Sequence, residues 1–126
     1  MLKNLFILFS VISLAANAQD TINLNGVWRD SSGASFSNCN AIITQVGNKI
    51  TFSHYLEFNG QPFMEFGTGA LKNRTIKYKV KVTKEISGWA TSGVHQLTLD
   101  VDGKTLRGTY KDNKGNVGPM VFKRVH

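Results

Sequence analysis

The sequence predicts an all-β domain: eight short antiparallel strands, joined in chain order and closed into an up-and-down (meander) barrel. Three observations carry that prediction. Apolar and polar residues alternate strictly over several stretches, while helical periodicity is nearly absent. Gly, Asn and Asp punctuate the chain at short intervals, as turns between strands require. Nearly all the connections are tight, whereas a two-sheet sandwich with Greek-key crossings needs longer ones. Closing the sheet also removes the sticky edges that an open one would leave.

Before the first strand stands a leader. Lys3 supplies a positive start, Leu5 to Leu14 is an apolar run, and Ala16-Asn17-Ala18 is a small-residue cleavage site. The run is too short to span a bilayer. Residues 1–18 therefore read as a cleaved signal peptide, and 19–126 as a single barrel domain exported to a bacterial periplasm or the medium. No other apolar segment is long enough to span a membrane.

The first strand, Leu24 to Asp30, ends at Ser31-Ser32-Gly33. Within it, Gly26-Val27-Trp28 is a Gly-x-Trp opening whose indole can plug the closed end of a barrel. Arg124 on the last strand can lie across that indole in a cation–π contact. Gly26 leaves room for the chain to enter beneath the floor. A second strand runs from Ala41 to Val46, and Gly47-Asn48 turns into a third, Lys49 to Phe58, with Ile50, Phe52, His54, Leu56 and Phe58 on one face. Asn59-Gly60 is the strongest hairpin signal, since a type I′ turn needs positive φ at both central residues. The fourth strand spans Phe63 to Leu71, with Gly67 and Gly69 letting it bend. The fifth, Arg74 to Glu85, puts Ile76, Tyr78, Val80 and Val82 on one face and Lys77, Lys79 and Lys81 on the other. After a longer loop, Ile86 to Gly93, strands over His95–Val101 and Lys104–Lys111 form a hairpin about Asp102-Gly103, with Leu97, Leu99 and Val101 inward. Asn113-Lys114-Gly115 then leads into Val117–Val125.

Gly26-Val27-Trp28 followed by Gly33, and Val117-Gly118 followed by Phe122 and a basic residue, resemble the two ends of the calycin superfamily of small barrels, the avidins and lipocalins. The resemblance covers the ends of the mature chain and the strand count. It implies an eight-stranded barrel with one open end. At the positions where the avidin pattern holds biotin's polar head with Asn, Ser and Asp, this chain carries Asp30, Ala34 and Met120. The resemblance therefore implies the barrel without the biotin site.

Eight strands enclose a space that side chains just fill or that holds one small ligand. The bulky inward candidates, Phe52, Leu56, Met64, Phe66, Tyr78, Leu97, Tyr110, Met120 and Phe122 among them, favour filling. If a cavity exists it is mostly apolar, lined by residues such as Phe52 and Phe66, with His54, Tyr78 and Tyr110 able to orient a polar group. Trp89, between Gly88 and Gly93 in the longest loop, either folds over the barrel mouth as a lid or packs on its rim. The basic face of Lys77, Lys79 and Lys81 either meets an acidic glycan or anionic surface, or is a solvated outer face.

Other chemistry finds little support. His54, His95 and His126 lack metal-ligand spacing, Glu57 and Glu65 could meet across the Asn59-Gly60 hairpin without marking an acid/base pair, and no nucleophile or phosphate-loop motif is present. No catalytic residue, metal or cofactor is expected. The full chain carries 15 Lys and Arg against 8 Asp and Glu; losing Lys3 leaves 14 against 8, a net +6. No aromatics interleave with the strand-five lysines, and export argues against nucleic acid. Cys39, the single cysteine, is open to three readings: a buried small hydrophobe, an intermolecular disulfide or a reactive thiol. The expected function is an exported, non-enzymatic, monomeric binding protein for a small, largely apolar molecule at the open end. Two alternatives stand beside it. One is a protein-binding barrel, such as an inhibitor of a secreted protease acting through a projecting arm over Asp20 to Asn25. The other is glycan or envelope binding through the basic face.

Overall fold

Eight strands follow one another around a closed sheet in the computed structural model, which describes residues 21–126. They are β1 (Gly26–Asp30), β2 (Asn40–Val46), β3 (Lys49–Phe58), β4 (Gln61–Lys72), β5 (Thr75–Val82), β6 (Ser92–Leu99), β7 (Thr105–Asp112) and β8 (Val117–Arg124). Each pairs antiparallel with the next, and β8 pairs with β1 through Trp28 and Arg124 to close the barrel. The expected signal peptide lies outside the described residues. Among the described residues no helix is long and apolar enough to cross a membrane.

The Asn59-Gly60 turn has φ of 50° and 74°, both positive as a type I′ turn requires. That two-residue loop sets the pairing of β3 with β4: Phe58 with Gln61, Leu56 with Phe63, His54 with Glu65. Because opposed residues share a face, the inward row of β4 is Phe63, Glu65, Gly67, Gly69 and Leu71. Here the structure corrects the sequence reading. Met64 and Phe66, expected inside, point outward and are 39% and 49% exposed, beside Ile42 and Tyr55 on the outer wall. Glu57 pairs with Pro62 and does not meet Glu65. Val101 is likewise outside, fully exposed in the turn after β6.

Gly67 and Gly69 let β5 cross β4 closely: a Cβ at Gly67 would stand 1.7 Å from the carbonyl oxygen of Lys79. Backbone contact that tight bends a twelve-residue strand into a barrel wall.

The floor is built around Trp28, which is fully buried and donates its indole N–H to the carbonyl of Leu24 at 3.0 Å. The Arg124 guanidinium lies 4.5 Å from the indole centroid and donates to the carbonyls of Asn23 and Asn25. Gly26 has φ of 144°, and a Cβ there would fall 1.9 Å from the carbonyl oxygen of His126. Residues 22–25 do not project as an arm. Leu24 is fully buried, and Gln45 bonds the Leu24 N–H and the Ile22 carbonyl.

Above the floor, Ile43, Phe52, Ile76, Tyr78, Leu97, Leu106 and Phe122 fill the closed half of the barrel. A second, smaller apolar cluster of Cys39, Leu56, Phe63 and Ile86, with Phe36, Phe58, Val82 and Trp89 against it, sits at the other end. Cys39 is a free thiol with no exposed surface, and burial, the largest influence, pushes its pKa up. Of the three readings of this cysteine, the buried hydrophobe describes its surroundings.

Candidate functional site

The two apolar clusters are separated by a layer of polar side chains. Inward positions at the same height on four strands carry Asp30 (β1), His54 (β3), Glu65 (β4) and His95 (β6), all buried. Alternation puts each of them inside, and the register then brings them together, His54 directly opposite Glu65.

His54 is the centre of the layer. Its Nδ1 lies 2.9 Å from Oε1 of Glu65, a hydrogen bond, and its Nε2 lies 3.0 Å from Oδ2 of Asp30. The Asp30 contact is close enough for an ion pair but off the line of the ring N–H, so Nε2 lacks an aligned hydrogen bond. Burial is the largest single influence on His54 and works against its charged form. The carboxylates of Asp30 and Glu65 together outweigh it, and the pKa is raised. His54 thus sits between two acidic side chains that favour its charged form.

His95 behaves oppositely. Burial dominates, the nearby Glu65 carboxylate offsets only part of it, and the pKa falls to about 4. Its Nδ1 lies 3.0 Å from the Tyr78 hydroxyl and its Nε2 3.6 Å from Oε1 of Glu65. Burial, reinforced by the carboxylates of Glu65 and Asp30, raises the Tyr78 pKa well above its ordinary value. The phenol therefore keeps its proton and donates to Nδ1 of a neutral His95, whose other nitrogen carries the ring proton towards Glu65.

Over this layer the barrel opens into a pocket of about 250 Å³. Asp30, His54, Glu65 and His95 form its polar base. Phe36, Leu56, Phe58, Val80, Trp89 and Met120 give apolar walls, and Ser92, Lys111, Asp112 and Asn116 line the entrance. A single 3-10 turn, Ala34–Phe36, which the sequence reading did not anticipate, brings Phe36 to the mouth. Trp89 stands against Phe58 and Phe63 with ring centroids 5.1 and 5.3 Å apart, packed on the rim while facing the opening.

Of the residues singled out from the sequence, His54, Trp89 and Tyr110 line this pocket. Tyr110 lies over Gly118, whose missing side chain makes room for the ring. Tyr78 and Phe52 do not line it. They stack on each other at 4.4 Å in the filled half below. Phe66 is on the outer wall. Lys77, Lys79 and Lys81 are exposed on the outside of β5, far from the opening's polar base. Gly26, Trp28 and Arg124 form the floor. Asp30, Glu65 and His95 were missed as site residues, though the hairpin register that places Glu65 opposite His54 was readable from Asn59-Gly60. Among the described residues no group of three His, Cys, Asp or Glu side chains is arranged to hold a metal ion.

No protein-family model matches the chain, and no curated protein matches it.

Proposed function

We propose that this chain is an exported, non-enzymatic binding protein of calycin-like architecture, which takes a small, largely apolar molecule through the open end of its barrel. The observation that carries the reading is the pocket of about 250 Å³ with aromatic and aliphatic walls above a buried polar layer. Apolar walls with a few convergent polar groups are the usual make-up of small-molecule sites. The volume lies just under the range of about 300–1,000 Å³ usual for such sites. It therefore suits a compact molecule the size of a substituted ring better than a long acyl chain.

The filled half below supports the same division of labour. Trp28, Phe52 and Phe122 have no exposed surface, so stability is concentrated at the floor and the mouth can remain open. The pinning of residues 22–25 against the floor favours this reading over the protease-inhibitor alternative, which needs an arm over Asp20 to Asn25 to project.

Tryptophan emission tests the proposal, because one of the two tryptophans is sealed in the floor and the other faces the mouth. Small aromatic and alicyclic probes titrated into the protein are expected to change the emission of Trp89. The change should vanish in Trp89→Phe, with binding itself retained by calorimetry. If no probe in such a panel binds by calorimetry, the pocket is not a ligand site and the proposal fails.

A further inference from the structure

The acidic side chains of the polar layer outnumber the groups placed to pair with them. Asp30 and Glu65 both face His54, whose charged form they favour, while burial disfavours the charged forms of His95 and Tyr78. One acidic side chain is thus left without a cationic partner of its own, in a part of the barrel where the side chains are buried. An acid there is costly to ionise unless something pairs with it. The lysine at the entrance, Lys111, is exposed and outside this layer.

The surplus can be located on one carboxylate. Asp30 is used on both oxygens: Oδ1 accepts the Ser32 N–H at 2.9 Å and Oδ2 touches His54. Glu65 is used on one. Oε1 receives His54 and is the atom nearest His95, whereas Oε2 has no hydrogen-bond partner among the described residues and is not sealed by protein. Glu65 lines the pocket, so its free oxygen is offered to whatever enters. Around the mouth stand Trp89, Phe58 and Phe36, and the faces of aromatic rings attract cations.

We propose that the molecule bound here carries a cationic nitrogen, an ammonium or amidinium on a small apolar body, and that Oε2 of Glu65 accepts its N–H. This rests on the reading of the open end as a ligand pocket, and it adds the chemical class of the ligand's head. His54 acts as a positioning residue: its bond to Oε1 fixes the carboxylate so that Oε2 faces the opening. A carboxylate ligand of the same size is disfavoured by the same excess of acidic side chains.

Calorimetry at neutral pH on the unmodified protein, with 2-phenylethylamine, 2-phenylethanol and 3-phenylpropionate as probes, tests this directly. These share an apolar body and differ in the charge of the head. The amine is expected to bind on the order of tenfold or more tighter than the alcohol, as charge-assisted hydrogen bonds exceed neutral ones, and the carboxylate least. In Glu65→Gln, checked for a native near-ultraviolet dichroism spectrum, the amine should lose its advantage over the alcohol. Should that variant fail to fold, the ranking on the unmodified protein decides alone. Equal binding of amine and alcohol, or preference for the carboxylate, overturns the cationic head and leaves the pocket reading intact. Absence of binding by all three, together with the wider panel of apolar probes, overturns both.

Discussion

Acid should loosen this barrel through His95, and the loss can be worked from the structure. The ring is buried, neutral and bonded to Tyr78, with its pKa lowered from 6.5 to about 4, chiefly by burial. In the unfolded chain the same ring takes up a proton near pH 6.5. Below that pH the unfolded state holds the extra proton, so stability falls as the pH drops towards 4 and is fully present above 6.5. At about 1.4 kcal/mol per pH unit, the loss over that window comes to about 3 kcal/mol. His54 does not blur it. Its raised pKa gives a stabilisation that is complete below 6.5 and lost only as pH rises through its folded value. Urea unfolding at half-unit steps from pH 7.5 to 4 gives the slope. In His95→Gln, where an amide oxygen can still accept from Tyr78, the contribution of this proton should disappear while those of the carboxyl groups remain. Equal slopes for the two proteins between pH 6.5 and 4 would refute the neutral, buried His95.

The remaining predictions concern the frame. Arg124→Ala removes the cation–π contact and both carbonyl bonds at the floor, and should cost about 1–3 kcal/mol by denaturant midpoint; Lys at this position should recover little, lacking the planar fork. Gly67→Ala should be more damaging than Gly60→Ala. The first forces a methyl group into the β5 backbone, while the second meets open space and costs only the left-handed backbone penalty of about 1–2 kcal/mol. Cys39 should react with an aromatic disulfide reagent only at the rate of unfolding, because the thiol is buried and its pKa raised; rapid labelling of the native protein would contradict its burial.

Much of the barrel could be read from the chain because it depends on local rules. Alternation with a period of two decides which side of each strand is apolar, and residues tolerant of positive φ mark the turns. The β3 face of Ile50, Phe52, His54 and Leu56 and the Asn59-Gly60 turn are both present in the structure as read. Trp28 and Arg124 were legible as floor and latch because the ends of a closed barrel must meet. β4 was not legible by the same rule. Of its two faces, Met64-Phe66-Thr68 is the more apolar, yet Phe63-Glu65-Gly67 is the one inside, so composition could not choose correctly between them. The hairpin register could, since a two-residue turn binds the facing of β4 to that of β3.

The order of the strands, the place of the turns and the closed end thus follow from neighbours along the chain. What the interior holds depends on how distant strands pack together. Asp30, His54, Glu65 and His95 span 65 positions of sequence, and although alternation places His54 on the apolar face of its strand, nothing local shows that the four meet. They meet because four strands bring their inward positions to one height. Whether a carboxylate becomes a partner for His54 or a solvated surface charge depends on which way a strand faces. The same holds for the cavity, whose space is set by the difference between a filled lower half and the packing of Phe36, Phe58 and Trp89 around the mouth.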